Sequence, residues 1–309
     1  MAINKVMQAA LRALAYPDID VKRNYKFVRQ VVNAAHYHYL KPFYKTWDHE
    51  IIVGDHAIPT RIYAPGETGQ EPDVLLFFHG GGWVHGSIDS YDKVCSHMAK
   101  ITGCAVISVD YRLAPEFPYP AALDDCYAVV REILFKGAYI NDPSRVTLIG
   151  DSAGANLAAA VSLMGRDRGE FVPARQILIY PATAAVHDET SPFPSIRENG
   201  TDYLLTAKRL CDYMDLYAPD PEDRRSPYFA PLLAGDLTHQ PETLLITAEY
   251  DPLRDEGEAY GEALRAAGNY VEVHRMPDAL HGFFALPPSY QPVRECYDII
   301  NHFLSGERY

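Results

Sequence analysis

Ser152 lies in Gly150-Asp-Ser-Ala-Gly154, between the apolar run 146–149 and the helix-compatible stretch 156–163. A serine with glycine two positions to either side, at a strand-to-helix corner, has the spacing of an exposed nucleophile. Side chains at those flanking positions would collide with backbone, and the serine takes a strained conformation that lifts its hydroxyl above the following helix N-terminus. A serine hydroxyl needs a base to take its proton and an acid to orient that base. In a strand–turn–helix context the expected chain order is serine, acid, histidine. His281, in Asp278-Ala-Leu-His-Gly-Phe283, falls in a short loop after the last predicted strand. His239 precedes a strand, His274 sits on one and His302 lies in a terminal helix, so His281 is the base. Asp251, followed by Pro252, closes the loop after the strand 244–247 and is the orienting acid. Asp255 is its rival, but a place one turn into a helix suits a dipole complement better.

Acyl transfer also needs donors for a tetrahedral oxyanion. His79-Gly-Gly-Gly-Trp83 follows the apolar strand 74–78, and a glycine run bares successive N–H groups. Gly81 and Gly82 are expected to supply two donors and Ala153 a third, while His79 shapes the loop by hydrogen bonding. Trp83, Asp151, Tyr203, Leu204 and Phe283 are the expected substrate-contacting residues.

The elements that must hold these groups alternate. Strands are predicted at 74–78, 105–109, 146–149, 177–180, 244–247 and 271–274, and helices at 89–102, 121–136, 153–164, 254–267 and 291–304. Short, wholly apolar strands between amphipathic helices imply a parallel sheet covered on both faces. A hairpin of Ile51–Val53 and Thr60–Tyr63 around Gly-Asp-His adds antiparallel strands at one edge. Ahead of it, residues 1–45 read as two helices, about 3–15 and 21–38, running into aromatic residues Tyr37, Tyr39, Phe43 and Tyr44. More than sixty residues separate Tyr180 from Leu244, too many for an ordinary loop, with a helix-like patch at 206–217. Residues 1–45 and 185–225 are expected to form a cap over a catalytic domain spanning 46–309.

The bulk properties bound the partners. The 28 basic and 41 acidic residues of the 309 leave a net charge of −13, which disfavours nucleic acid and anionic membranes. Five widely spaced cysteines without a Cys-x-x-Cys pair fit buried thiols in a reducing compartment, not a disulfide framework or a zinc site. Gln8 and Arg12 interrupt the apolar start before a signal-peptide core could form, and no run is long enough to span a membrane. The expectation is a cytoplasmic protein.

Together these motifs resemble the hormone-sensitive-lipase-like carboxylesterases of the α/β-hydrolase fold, in the branch with aspartate before the nucleophile. The resemblance runs from about residue 47 to the C-terminus. It is carried by His79-Gly-Gly-Gly82, Asp110-Tyr-Arg-Leu-Ala-Pro-Glu116, Gly150-Asp-Ser-Ala-Gly154, Asp251-Pro-Leu-Arg-Asp-Glu-Gly257 and His281-Gly-Phe283. It implies a mostly parallel eight-stranded sheet with helices on both faces and a helical cap. It also implies a Ser152–His281–Asp251 triad, an oxyanion hole of Gly81, Gly82 and Ala153, and no metal or organic cofactor. The implied substrates are small esters with short to medium acyl chains, and a homodimer paired through edge strands is common in the family. Two alternatives share the fold: a non-catalytic small-molecule binder, which would have no need of His281 and Asp251, and an amidase or peptidase, for which no peptide-selecting domain is visible. The charged run Asp220-Pro-Glu-Asp-Arg-Arg225 makes the 185–225 segment too polar for a lipase lid.

Overall fold

The computed structural model describes residues 20–36, 46–66, 71–136 and 142–307. Eight strands form one sheet: β1 (Thr46–Val53), β2 (His56–Tyr63), β3 (Val74–Phe78), β4 (Ala105–Val109), β5 (Val146–Asp151), β6 (Arg175–Ile179), β7 (Glu242–Tyr250) and β8 (Val271–Leu280). Their order across the sheet is β1-β2-β4-β3-β5-β6-β7-β8. The β1–β2 and β2–β4 pairings are antiparallel and the rest are parallel.

The wholly apolar strands follow from burial on both faces. Leu76, Phe78, Leu148, Leu178 and Leu245 point into one core, with α3 (Ala121–Lys136), α4 (Ala153–Asp167) and α7 (Arg254–Ala266). Their neighbours Leu75, Phe77, Ile149, Ile177 and Leu244 point into the other, under α2 (Asp92–Thr102) and α8 (Gln291–Ser305). The alternation is the two-residue period of a strand. Each such side chain contributes about 1.5–3 kcal/mol on burial. Helix α4 is buried continuously from Ala153 to Gly165, and its small residues allow that close approach.

Parallel pairing puts the C-terminal ends of β3, β5, β6, β7 and β8 at one edge of the sheet. The glycine loop, Ser152, Tyr180, Asp251 and His281 leave from those ends. Ligand sites of open α/β sheets form along this edge.

Several boundaries differ from expectation. The hairpin strands are longer than predicted, because β1 and β2 stay paired from Thr46↔Tyr63 to Val53↔His56. Strand β6 stops at Ile179, because Tyr180 turns to φ 38. Strand β8 continues six residues beyond His274, past Pro277. Proline is tolerated there because β8 is the outermost strand, and the register shift between Ala248 and Tyr250 absorbs the irregularity. His281 therefore follows the strand directly instead of sitting in a longer loop.

Of the two N-terminal helices, the second is α1 (Val21–His36), with a non-helical Asn24. The first, and the aromatic residues Tyr37, Tyr39, Phe43 and Tyr44, lie outside the described residues. The 185–225 segment contains α5 (Pro194–Asn199) and α6 (Ala207–Tyr217). Helix α1 packs on α6, where Lys22 pairs with Asp212 and Asp215.

Candidate active site

The turn at Ser152 takes the form its glycines require. Ser152 has φ 55 and ψ −118, a conformation costing about 1–3 kcal/mol and held by its surroundings. Its N–H donates to the Ile179 carbonyl at 2.9 Å, tying it to β6. A Cβ on Gly150 would run into the backbone of Gly154, and one on Gly154 would run into the Phe78 and His79 carbonyls. Residues −2 and +2 are glycine because the corner folds back on itself and on the end of β3.

Ser152 Oγ lies 2.9 Å from His281 Nε2, and His281 Nδ1 lies 2.7 Å from Asp251 Oδ2. Asp251 is fully buried; its other oxygen accepts from the Leu253 N–H at 2.8 Å, and its carbonyl from Asn199 at 3.2 Å. The rival carboxylate is committed elsewhere. Asp255 accepts the Ser195 N–H at 2.7 Å and the Arg254 guanidinium at 2.8 Å. It holds α5 against the start of α7, and Ser195 Oγ donates to the Pro252 carbonyl at 2.7 Å. Helix α5 of the 185–225 segment thus braces the loop that carries Asp251, a contact the sequence does not advertise.

The glycine loop faces the serine. Gly81, Gly82, Trp83 and Gly86 all take positive φ (125, 59, 59 and 99). The Gly80 N–H donates to Asp151 Oδ1 at 2.8 Å, and Gly81 and Gly82 line the cavity beside it. Ala153 opens α4, where an N–H has no intrahelical acceptor. His79 is fully buried, and burial lowers its pKa, so the ring is neutral. It donates from Nδ1 to the Gly80 carbonyl at 2.8 Å and stacks on Tyr111, whose hydroxyl donates to the His79 carbonyl at 2.6 Å. These contacts give His79 the loop-shaping place expected of it.

Asp151 was expected to contact substrate, but its oxygens are engaged by protein donors. Besides Gly80, the hydroxyls of Tyr91 and Tyr180 donate to Oδ2 at 3.0 and 3.2 Å. Burial pushes its carboxyl up to about 6, against the opposing pull of Tyr91, the Gly80 N–H, His281 and Tyr180. Burial also raises both tyrosines, so they remain donors. Tyr180 further packs its ring against that of His281, tilted by 54° with centres 4.7 Å apart. No sequence motif marks Tyr91 or Tyr180; only the fold brings them to Asp151.

One cavity opens onto Ser152 and His281. Trp83 and Leu204 line it as expected, together with Leu205, Leu210, Tyr213, Leu253 and Ala285, which motif reasoning missed. Asp151 reaches its floor. Tyr203 instead packs beside Tyr250, and Phe283 is buried under Tyr180 in the core below the site, so neither belongs to the lining. Trp83 stacks on Tyr217 of α6, 4.6 Å between ring centres. The Asp110–Glu116 motif proves to be scaffolding. Ala114 N–H donates to the Trp83 carbonyl at 2.9 Å, and Arg29 of α1 donates to the Val84 and Ala114 carbonyls at 2.7 and 2.8 Å and pairs with Glu116. Among the described residues no group of three or more His, Cys, Asp or Glu side chains is arranged to hold a metal ion, and no helix is long and apolar enough to cross a membrane.

A family model described as alpha/beta hydrolase fold matches residues 75–285. Over 230 residues the chain is 40% identical to esterase LipI of Mycobacterium tuberculosis, a match covering 73% of this chain and 71% of the relative. It is 39% identical over 239 residues to carboxylic ester hydrolase LipN of the same organism, covering 74% of this chain but only 61% of the length of LipN. A solved hyperthermophilic esterase from Pyrobaculum calidifontis superposes with a TM-score of 0.84 at 34% identity, covering 99% of both chains. With the eight-stranded sheet and the nucleophile corner already in place, these matches put the chain in the hormone-sensitive-lipase-like carboxylesterase family of the α/β-hydrolase fold.

Proposed function

We propose that the protein is a serine carboxylesterase acting on short- to medium-chain esters, with Ser152, His281 and Asp251 as its triad. The carrying observation is the continuous hydrogen-bonded line from Ser152 Oγ through the imidazole to a fully buried Asp251. His281 Nε2 takes the serine proton as Oγ adds to the ester carbonyl. The N–H groups of Gly81, Gly82 and Ala153 stabilise the resulting oxyanion, and Asp251 holds the imidazolium in place. Collapse releases the alcohol, protonated by His281, and leaves an acyl-enzyme. Water, deprotonated by the same imidazole, then frees the acid.

In this reading α1 and the 185–225 segment form the cap over a catalytic domain from residue 46. The apolar wall of Leu204, Leu205 and Leu210 supports an acyl chain, with each enclosed methylene contributing about 0.8 kcal/mol. Activity should rise from acetyl to roughly butyryl or hexanoyl and then fall, a discrimination of a few kcal/mol. The reading also takes the protein to be cytoplasmic, supported by cysteines that are free and mostly buried. It includes a homodimer paired through edge strands, which light scattering after size exclusion would reveal. The principal test is kcat/KM for p-nitrophenyl esters from C2 to C16, with Ser152→Ala alongside. That variant should lose on the order of a million-fold in turnover. A folded Ser152→Ala protein with full activity would end the proposal, and an optimum at C12 or beyond would make the enzyme a lipase.

A further inference from the structure

Asp251 and His281 leave from neighbouring parallel strands, so their meeting depends on how those strands are paired. From Thr243↔Val271 to Ala248↔Met276, β7 and β8 keep one register; beyond a shift, Tyr250 faces Leu280. Opposite the single residue Glu249, β8 therefore takes up three: Pro277, Asp278 and Ala279. The next residues along are Asp251 and His281, whose side chains meet at 2.7 Å. Continued without the shift, the earlier pairing would set Ala279 beside Asp251 and carry His281 past it. A bulge that re-aims a side chain beside a reactive centre is a common use of this irregularity.

One side chain spans the bulge. Asp278 turns to φ 56, a conformation uncommon away from glycine. Its N–H donates to Oε2 of Glu249 at 2.7 Å, and its carbonyl accepts from the Tyr290 hydroxyl at 3.3 Å. The Glu249 arm has a fixed root, because its carbonyl accepts from Arg254 at 3.1 Å and from Asn199 at 3.4 Å. Asn199 also donates to the Asp251 carbonyl at 3.2 Å. Glu249 thus joins the backbone that carries the acid to the bulge that delivers the base, and it takes no part in lining the cavity.

We propose that Glu249 is a positioning residue for the catalytic pair: by holding the Asp278 N–H it keeps the β8 bulge closed and His281 level with Asp251. The inference rests on the esterase reading of the triad and adds to it a residue that touches neither the substrate nor the reacting atoms. What the role requires is an acceptor oxygen at the reach of a glutamate. Loosening the bulge would let the imidazole drift from the acid and the serine, and a misplacement of about 1 Å costs up to about a hundredfold in rate.

The test separates reach from charge. Glu249→Gln keeps the reach and an acceptor, Glu249→Asp keeps the charge on a shorter arm, and Glu249→Ala keeps neither. With p-nitrophenyl butyrate, kcat and kcat/KM should fall together, roughly tenfold to a hundredfold, for the aspartate and alanine substitutions. The glutamine substitution should stay within about threefold of the wild type, the difference between a charged and a neutral acceptor. Adding Glu249→Ala to Asp251→Asn should cost at most about threefold more, because the alignment it serves has already lost its effect. A residue that only stabilised the fold would cost the same in both backgrounds. The proposal is overturned by wild-type kcat in Glu249→Asp and Glu249→Ala, by a glutamine loss as large as the alanine one, by a rise in KM alone, or by an undiminished loss on top of Asp251→Asn. If Glu249→Ala does not fold, the comparison of Glu249→Gln with Glu249→Asp decides. Wild-type turnover abolished by Ser152→Ala reports separately on the esterase reading; its absence overturns both.

Discussion

Replacing Asp151 by asparagine removes a buried charge while retaining most of its bonds. The asparagine carbonyl can accept the Gly80 N–H, and its amide can donate to the Tyr91 and Tyr180 hydroxyls, which rotate to receive it. The charge is where the two side chains differ. Burial raises the Asp151 carboxyl from 3.8 to about 6 in the folded protein, a change worth about 3 kcal/mol. A folded-state value above the unfolded one means that the native state holds the proton more tightly. This contribution to stability is therefore full below 3.8 and is lost as pH rises through about 6. The aspartate protein pays it and the asparagine protein does not. Integrating between those two values, about 2 kcal/mol of the difference falls between pH 4.5 and pH 7.5. Urea unfolding of both proteins at several pH values measures it, because titrations common to the two cancel on subtraction. The asparagine variant should gain about 2 kcal/mol relative to the wild type across that interval. Parallel stability curves would refute the reasoning, since Asp151 would then ionise as readily folded as unfolded. Activity should move the other way: with Asp251 left as the anion beside His281 and the Asp151 charge gone, the imidazolium formed during acyl transfer is less stabilised, and kcat should fall more than KM rises.

Asp251→Asn should reduce kcat by roughly 10⁴-fold by favouring the wrong imidazole tautomer. Asp255→Asn should instead cost about 1 kcal/mol of stability through Ser195 and leave turnover near the wild-type value, and steady-state kinetics showing the reverse order would reassign the acid. Gly154→Ala should give little folded protein, because its methyl would meet the Phe78 carbonyl, which has no free direction in which to move; an unaltered melting temperature would contradict this packing. Arg29→Ala removes two bonds to carbonyls and a carboxylate partner, and about 1–3 kcal/mol of α1 docking with them. The expected signature is a raised KM and flatter acyl-chain selectivity, and kinetics identical to the wild type would separate α1 from the cavity.

The parts of the site that could be read from the sequence are those whose local backbone demands particular residues. Gly150 and Gly154 must be glycine for Ser152 to project, and Gly81 and Gly82 must be glycine because carbonyl and aromatic groups crowd their Cα atoms. Strands β3 and β5 are buried on both faces, and their unbroken apolar runs show it. What stayed hidden depends on contacts distant in the chain. Tyr91, at the start of α2, and Tyr180, just past β6, meet on Asp151, so a carboxylate that looked available to substrate is held by protein donors. Tyr203 and Phe283 sit next to residues that do matter, and the turn of the backbone between neighbours sends them elsewhere. The length of β8 was obscured by Pro277, a strand breaker everywhere but at an edge. His187, one of the histidines given no role, is buried with Nε2 2.7 Å from Glu256 of α7, a polar link in the core that no local pattern announces.

If α1 and the 185–225 segment form the proposed cap, the glycine loop gives them a role beyond covering the site. Donors stabilise an oxyanion only if they are already aimed when charge develops, because reorienting them then would cost much of what they contribute. Four loop residues at positive φ do not hold that aim unaided. Below, Asp151 anchors the Gly80 N–H. To one side, Arg29 of α1 grips the Val84 carbonyl while Ala114 holds that of Trp83. Above, the Tyr213 ring of α6 presses on Gly82, and Tyr217 stacks on Trp83. Two of these three supports come from α1 and from the 185–225 segment, the same segment whose α5 braces the Asp251 loop through Asn199 and Ser195. In the proposed mechanism the glycine loop and the acid loop are thus both held in part by helices outside the sheet. A change in the cap should therefore appear in kcat as well as in substrate preference, which distinguishes this arrangement from a lid that only sieves.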